Sequence, residues 1–184
     1  MEFTKSVCVY CGSRTGARPA YAQAARDTGT MLARNSWRLV YGAGDVGLMG
    51  LVANATQRQG GKTFGVIPVH LLDWEVGKRD LDQFVITENM HERKKVMYMN
   101  ADAVVVLPGG AGSMDEFFEV LTWRQLGLHD KPIVLVNVAG YWDPLLTMLD
   151  RMISEGFAEK SLLGYISIVP DVAALETTLR DALS

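Results

Sequence analysis

A chain of 184 residues and 20.2 kDa can bury one substantial core, so a single domain spanning residues 1–184 is expected. Hydrophobic content of 48% against 21% charged residues reads as a soluble globular protein, and a net charge of −3 weighs against general nucleic-acid binding. No basic leader precedes an apolar run and no stretch of ~20 apolar residues occurs, so no membrane partner is expected and the location should be cytoplasmic.

Taken in chain order, the first predicted strand covers residues 6–10 and ends in the polar glycine turn Cys11-Gly12-Ser13. A helix follows over 19–35, opened by Pro19, with Tyr21, Ala24, Ala25, Thr28 and Leu32 as its buried stripe. The second strand, 38–41, runs into Gly42-Ala43-Gly44, and a helix over 48–59 stops at Gly60-Gly61. The third strand is 62–67; residues 71–82 read as an irregular loop with one helical turn, and 84–87 as a short strand. A helix over 91–100 precedes the most apolar strand, 103–107, which breaks into Pro108-Gly109-Gly110-Ala111-Gly112 before a helix predicted over 114–127. A strand at 132–137, a helix at 141–155, a helical turn at 159–163, a strand at 166–169 and a helix at 171–183 complete the chain.

Strands alternating with helices at this interval predict an α/β, Rossmann-like three-layer sandwich: a parallel sheet with helices on both faces. Ligands of such sheets bind beyond the carboxyl ends of the strands, where the turns at Gly12, Gly42 and Gly109 all fall. The turn at Pro108 is the strongest candidate for phosphate, because its glycines permit close approach and the following helix presents free N–H groups. No G-x-G-x-x-G opens the first helix and no acidic residue ends the second strand, so a dinucleotide cofactor is disfavoured.

Cys8 and Cys11 share a C-x-x-C spacing, yet an offset of three along a strand sends side chains to opposite faces, and no second Cys/His cluster completes a zinc site. His91-Glu92-Arg93-Lys94 lacks the second histidine of H-E-x-x-H. No metal and no cofactor is expected. Arg93 shares a helix face with Val96, Met97 and Asn100, which predicts an inward guanidinium needing an anionic partner, either phosphate or Glu116. Lys94, beside it, could also reach a ligand, although a solvated lysine is the commoner state.

Pro108-Gly109-Gly110-Ala111-Gly112-Ser113-Met114-Asp115-Glu116 resembles the P-G-G-x-G-T-x-x-E signature of the Lonely Guy family, the cytokinin riboside 5′-monophosphate phosphoribohydrolases often mislabelled lysine decarboxylases. The likeness extends to Val40-Tyr41-Gly42-Ala43-Gly44 with Gly47-Leu48-Met49-Gly50, to Met90-His91-Glu92-Arg93-Lys94, to Leu121-Thr122-Trp123 and to His129-Asp130-Lys131-Pro132. Two departures stand out: Ser113 for the usual Thr, and Ala43 for a middle Gly. The resemblance implies Arg93 and Glu116 as catalytic residues. It implies substrate and phosphate contacts at Glu75, Lys94, Gly109, Gly110, Ala111, Gly112, Ser113, Met114, Asp115 and Thr122. Ser13, Gly44 and His91 are secondary candidates. Ser113-Met114-Asp115-Glu116 also reads as a capping box, with Glu116 satisfying a helix end; the phosphate-ready turn and the resemblance favour catalysis.

The expected reaction is hydrolysis of the N-glycosidic bond of AMP or an N6-substituted adenosine 5′-monophosphate, giving free base and ribose 5-phosphate. The alternative is a non-enzymatic nucleotide or cofactor carrier using the same turn. A pyridoxal-phosphate lysine decarboxylase is disfavoured by the short chain and the absence of an evident Schiff-base lysine. The resemblance further implies a homodimer with residues of both chains near the site. Met97, Tyr98 and Met99 offer more apolar positions on one helix than a single buried stripe requires.

Overall fold

The computed structural model describes residues 3–72 and 77–184. Seven strands, β1 (Lys5–Tyr10), β2 (Trp37–Tyr41), β3 (Thr63–Pro68), β4 (Gln83–Thr87), β5 (Ala103–Val106), β6 (Ile133–Val136) and β7 (Ser167–Val169), form one sheet in the order β4-β3-β2-β1-β5-β6-β7. Every pairing is parallel. Among the described residues the α-helices are α1 (Pro19–Arg34), α2 (Gly47–Arg58), α3 (Met90–Met99), α4 (Ala111–Gln125), α5 (Asp143–Ser154) and α6 (Val172–Leu183). Short 3-10 turns stand at Val69–Leu71, Val138–Gly140 and Lys160–Tyr165.

Alternation along the strands divides the core in two. Val7, Val9, Leu39, Tyr41, Val105 and Leu107 face α1, α2 and α6, while Cys8, Tyr10, Val40, Val104 and Val106 face α3, α4 and α5. This is the three-layer arrangement that the strand–helix alternation predicts, and β5 and β6 are buried on both faces because both are covered. Cys8 and Cys11 are buried in opposite halves of the core and form no disulfide with each other, so the C-x-x-C spacing makes no redox pair. Pro19 opens α1, and Tyr21, Ala24, Ala25, Thr28 and Leu32 are its buried stripe, as the periodicity predicts.

One boundary differs in a way that matters. The helix predicted from residue 114 begins at Ala111, with Gly110 as N-cap and no capping side chain. Ser113 is therefore the third helical residue and Glu116 lies in the second turn, so the pair forms no capping box. The reciprocal cap belongs instead to α3: Asn89 Oδ1 accepts from the Glu92 N–H at 3.0 Å, and the Glu92 carboxylate accepts from the Glu88 N–H at 2.9 Å.

The chain leaves β1 outward through β2, β3 and β4, then returns across the sheet by α3 to lay β5 on the other side of β1. Strand order reverses between β1 and β5, so a crevice opens beyond their carboxyl ends. No helix among the described residues is long and apolar enough to cross a membrane.

Candidate functional site

The turn after β5 is built by backbone contacts that only glycine admits. A Cβ on Gly109 would stand 2.1 Å from the Ser113 hydroxyl and 3.0 Å from the Gly12 nitrogen. The Gly12 N–H donates to the Pro108 carbonyl at 3.1 Å, tying the β1 turn to the β5 turn. The first bond of α4 runs from the Met114 N–H to the Gly110 carbonyl. The N–H groups of Ala111, Gly112 and Ser113 thus lie outside the helix's own ladder, at its positive end. Tyr141, after β6, donates from its hydroxyl to the Gly109 carbonyl at 2.5 Å and packs edge-on against Tyr21 and Trp142.

A cavity of about 540 Å³ fills the β1/β5 crevice, with Gly12, Ser13, Pro108, Gly109, Gly110 and Tyr141 in its wall. Ser13 and the glycine turn therefore meet, as the strand ends predict. A separate apolar groove of about 550 Å³ runs between α4 and α5 past Met114, Phe118, Leu145 and Met152. Met114 and Phe118 stand two residues either side of Glu116, about 200° around the helix, so this groove faces away from the carboxylate.

Glu116 follows Gly112 by one turn of α4 and shares its face. Burial and then the charge of Glu116 push the Cys8 thiol well above its usual range; burial, Cys8 and Glu116 do the same for the Tyr10 hydroxyl. Glu116 is thus felt at the heart of β1 on the α3/α4 side, and Cys8 is held as an inert thiol rather than a nucleophile.

Arg93 points inward, as its helical face predicts, with 4% of its surface exposed. Its Nη2 donates to the Gly42 carbonyl at 2.7 Å and its Nε to the Val66 carbonyl at 3.2 Å, so the guanidinium joins the ends of β2 and β3. A Cβ on Gly42 would meet that guanidinium at 2.0 Å. The turn after Gly42 is held from its other side by the Lys78 N–H, which donates to the Ala43 carbonyl at 2.8 Å, and by the bridge between Gly44 and Gly77. Ala43 takes a left-handed φ of 57°, the conformation a glycine would adopt without strain, and its methyl lies over Gly65.

Lys94 departs from the solvated state usual for lysine. It is buried, and its Nζ sits 3.0 Å from Asp115 and 3.3 Å from Glu119, bridging α3 to α4. Burial alone would lower its pKa; the two carboxylates reverse the sign and hold it above the ordinary lysine value. Asp115 is correspondingly committed to Lys94. His91 is exposed at the first turn of α3, Gly44 is buried beside Met49, and Thr122 is exposed eleven residues along α4 from Ala111, about 16 Å at 1.5 Å per residue. Glu75 lies outside the described residues.

Other motif positions are structural. Trp123 packs edge-on against Tyr98, His129 Nε2 meets the Val120 carbonyl at 2.9 Å, and Lys131 donates to the Tyr98 carbonyl at 2.8 Å. Together they fasten the end of α4 to the end of α3. Sequence reasoning missed Tyr141, Arg14 and Arg18 at the cavity; an aromatic pair just past a strand end was the available signal for Tyr141.

Residues 49–179 match the family described as "Possible lysine decarboxylase". A probable cytokinin riboside 5′-monophosphate phosphoribohydrolase of Oryza sativa is 41% identical over 97% of this chain and 77% of its own length. A cytokinin riboside 5′-monophosphate phosphoribohydrolase of Arabidopsis thaliana is 44% identical over 88% of this chain and 72% of its own. The chain belongs to the Lonely Guy family. Among solved structures, the molybdenum cofactor carrier protein of Chlamydomonas reinhardtii superposes with a TM-score of 0.75, covering 98% of each chain at 19% identity. A molybdenum cofactor binding protein of Rippkaea orientalis gives 0.73 at 18% identity, covering 98% of this chain and 99% of that one. At such identities these likenesses concern the fold alone. The Lonely Guy relatives carry the family assignment.

Proposed function

We propose that this member of the Lonely Guy family hydrolyses the N-glycosidic bond of a nucleoside 5′-monophosphate, AMP or an N6-substituted adenosine 5′-monophosphate, to free base and ribose 5-phosphate. The observation that carries this reading is the uncapped start of α4 at the mouth of the β1/β5 cavity, one helical turn from Glu116. The N–H groups of Ala111, Gly112 and Ser113 bind the 5′-phosphate by charge-assisted hydrogen bonds. Departure of the base leaves positive charge on the ribose, in an oxocarbenium-like transition state. Glu116 stabilises that charge and takes a proton from the attacking water. Arg93 is a positioning residue: it braces the turn after β2 beside the site through the Gly42 carbonyl. Met114 and Asp115 contribute backbone to the phosphate end of α4, and Lys94 sets the approach of α4 to α3.

The test is chromatographic detection of free base from a panel of nucleoside monophosphates. AMP should be cleaved about two to three decades more efficiently than adenosine, since the nucleoside forfeits the charge-assisted bonds. Equal efficiencies would remove the phosphate site. Binding of AMP with no release of base would leave the carrier reading standing. That reading is the weaker one, because the carriers share only the fold with this chain while the named hydrolases are 41–44% identical to it over the aligned residues.

A cytoplasmic homodimer accompanies this reading. The apolar surplus expected on α3 is smaller than its sequence suggests: Met97 is in the core, and Tyr98 packs on Trp123, leaving Met99 exposed. Leu126 and Leu128 are exposed nearby, around the Tyr98–Trp123–His129 cluster, and these three side chains support a contact with a second copy. Thr122, exposed and remote from its own glycine turn, would meet a ligand only across such a contact. Light scattering at micromolar concentration should give twice the chain mass; a monomer would exclude the dimer.

A further inference from the structure

We infer that Arg14 and Arg18 supply the charge that recognises the 5′-phosphate, so that the nucleotide lies with its phosphate on the α1 side of Gly109 and Gly110. This rests on the hydrolase reading above and extends it to substrate recognition. A phosphate monoester brings a charge of about −1.5 to −2 at neutral pH, and backbone N–H groups alone provide only partial charges. The two basic residues of the family motif are occupied elsewhere. Arg93 donates to the carbonyls of Gly42 and Val66 among its contacts, and Lys94 stands between Asp115 and Glu119. Among the described residues Arg14 and Arg18 line the cavity, Arg93 and Lys94 do not, and the wall contains no Asp or Glu.

The placement of both arginines is built rather than incidental. The β1 turn that carries Arg14 is fixed at two points, by the Gly12 N–H on the Pro108 carbonyl and by the Leu48 N–H on the Gly12 carbonyl at 3.0 Å. The side chain of Arg14 makes no hydrogen bond or ion pair among the described residues, so its five donors remain for a ligand. Arg18 rests one nitrogen on the Ala139 carbonyl at 3.1 Å, across the cavity mouth, and keeps its other N–H groups. It is also the N-cap of α1, and α1 and α4, like α2 and α5, have no capping side chain. Two uncapped helix starts and two planar guanidinium groups thus border one cavity whose described wall carries no carboxylate. That arrangement suits bidentate capture of phosphate, and it directs the sugar over Gly110 toward Glu116.

The experiment compares the parent with Arg14→Gln, Arg18→Gln, the pair, and a pair carrying Lys at both positions. Ribose 5-phosphate is titrated calorimetrically, and AMP and adenosine cleavage are measured in parallel. Arg14→Gln should weaken ribose 5-phosphate and reduce the AMP-to-adenosine preference by about tenfold, and the Gln pair by about a hundredfold. The Lys pair should recover much of the loss, and added salt should weaken the parent more than the Gln pair. Because the Arg14 side chain makes no hydrogen bond or ion pair among the described residues, its single variant reads recognition with little cost to the fold. A Gln pair with parental affinity for ribose 5-phosphate overturns the inference even if AMP is cleaved. A parent that binds ribose 5-phosphate, loses it in the Gln pair and cleaves no nucleotide keeps the inference and sinks the hydrolase reading.

Discussion

Replacing Glu116 by Gln is expected to lower kcat by about two to four decades, the usual span for loss of a positioned acid–base group, while leaving the melting temperature within a few degrees of the parent. The alternative role that its sequence context suggests, the acidic member of a capping box, needs Ser113 at the N-cap. That position belongs to Gly110, and Glu116 sits a full turn too deep to reach the helix's first N–H groups. A glutamine keeps the size and hydrogen-bonding capacity of the side chain and removes only its charge and basicity. The expected separation of kcat from stability therefore isolates the carboxylate's chemistry. Near-parental turnover in Glu116→Gln would falsify the catalytic assignment. A fall in melting temperature of ten degrees or more would show instead that the charge is part of the fold.

The architecture is written locally in this chain, and much of the site is not. β-branched runs and helical stripes are nearest-neighbour patterns, so the strand–helix order and the three glycine turns can be read directly. The same holds for the opposed cysteines, because period two is all that their placement requires. The start of α4 misleads because Ser113-Met114-Asp115-Glu116 is a good capping signal, and Ala111-Gly112 contains a poor helix former. Tertiary packing of the Gly109 turn against Gly12 and Ser113 overrides that local preference. Arg93 donates to backbone carbonyls 27 and 51 residues away, which carry no residue-type signature, so its direction is legible in the sequence and these two contacts are not. Lys94 fails in the same manner: its two carboxylates lie on the next helix, 21 and 25 residues on, beyond the reach of any helical spacing rule. Arg14 and Arg18 have ordinary exposed-arginine contexts. Only the closing of the β6 turn over the β1 turn makes their wall of the cavity visible.

Arg93→Ala should separate from Glu116→Gln by damaging both the fold and the reaction. Truncation removes two charge-assisted hydrogen bonds to Gly42 and Val66 and strands those carbonyls beneath a side chain that had excluded water. At about 1.5–3 kcal/mol for a bond to a charged group, the pair is worth roughly 3 kcal/mol or more. For a domain of this size that corresponds to a melting temperature lower by roughly 6–12 °C. Lysine would keep the charge but has no planar fork to serve two carbonyls on different strands, so Arg93→Lys should recover only part of the stability. Activity should fall by about two decades, because the turn after β2 loses its brace beside the ribose site. If Arg93 acts on the reaction by positioning rather than by touching substrate, the loss should appear mainly in kcat with AMP affinity retained. The double variant with Glu116→Gln should then lose less than the product of the single effects, as residues acting as one unit do. An Arg93→Ala protein that melts with the parent would show that the guanidinium does not tie β2 to β3. Full multiplicativity in the double variant would sever Arg93 from the chemistry of Glu116.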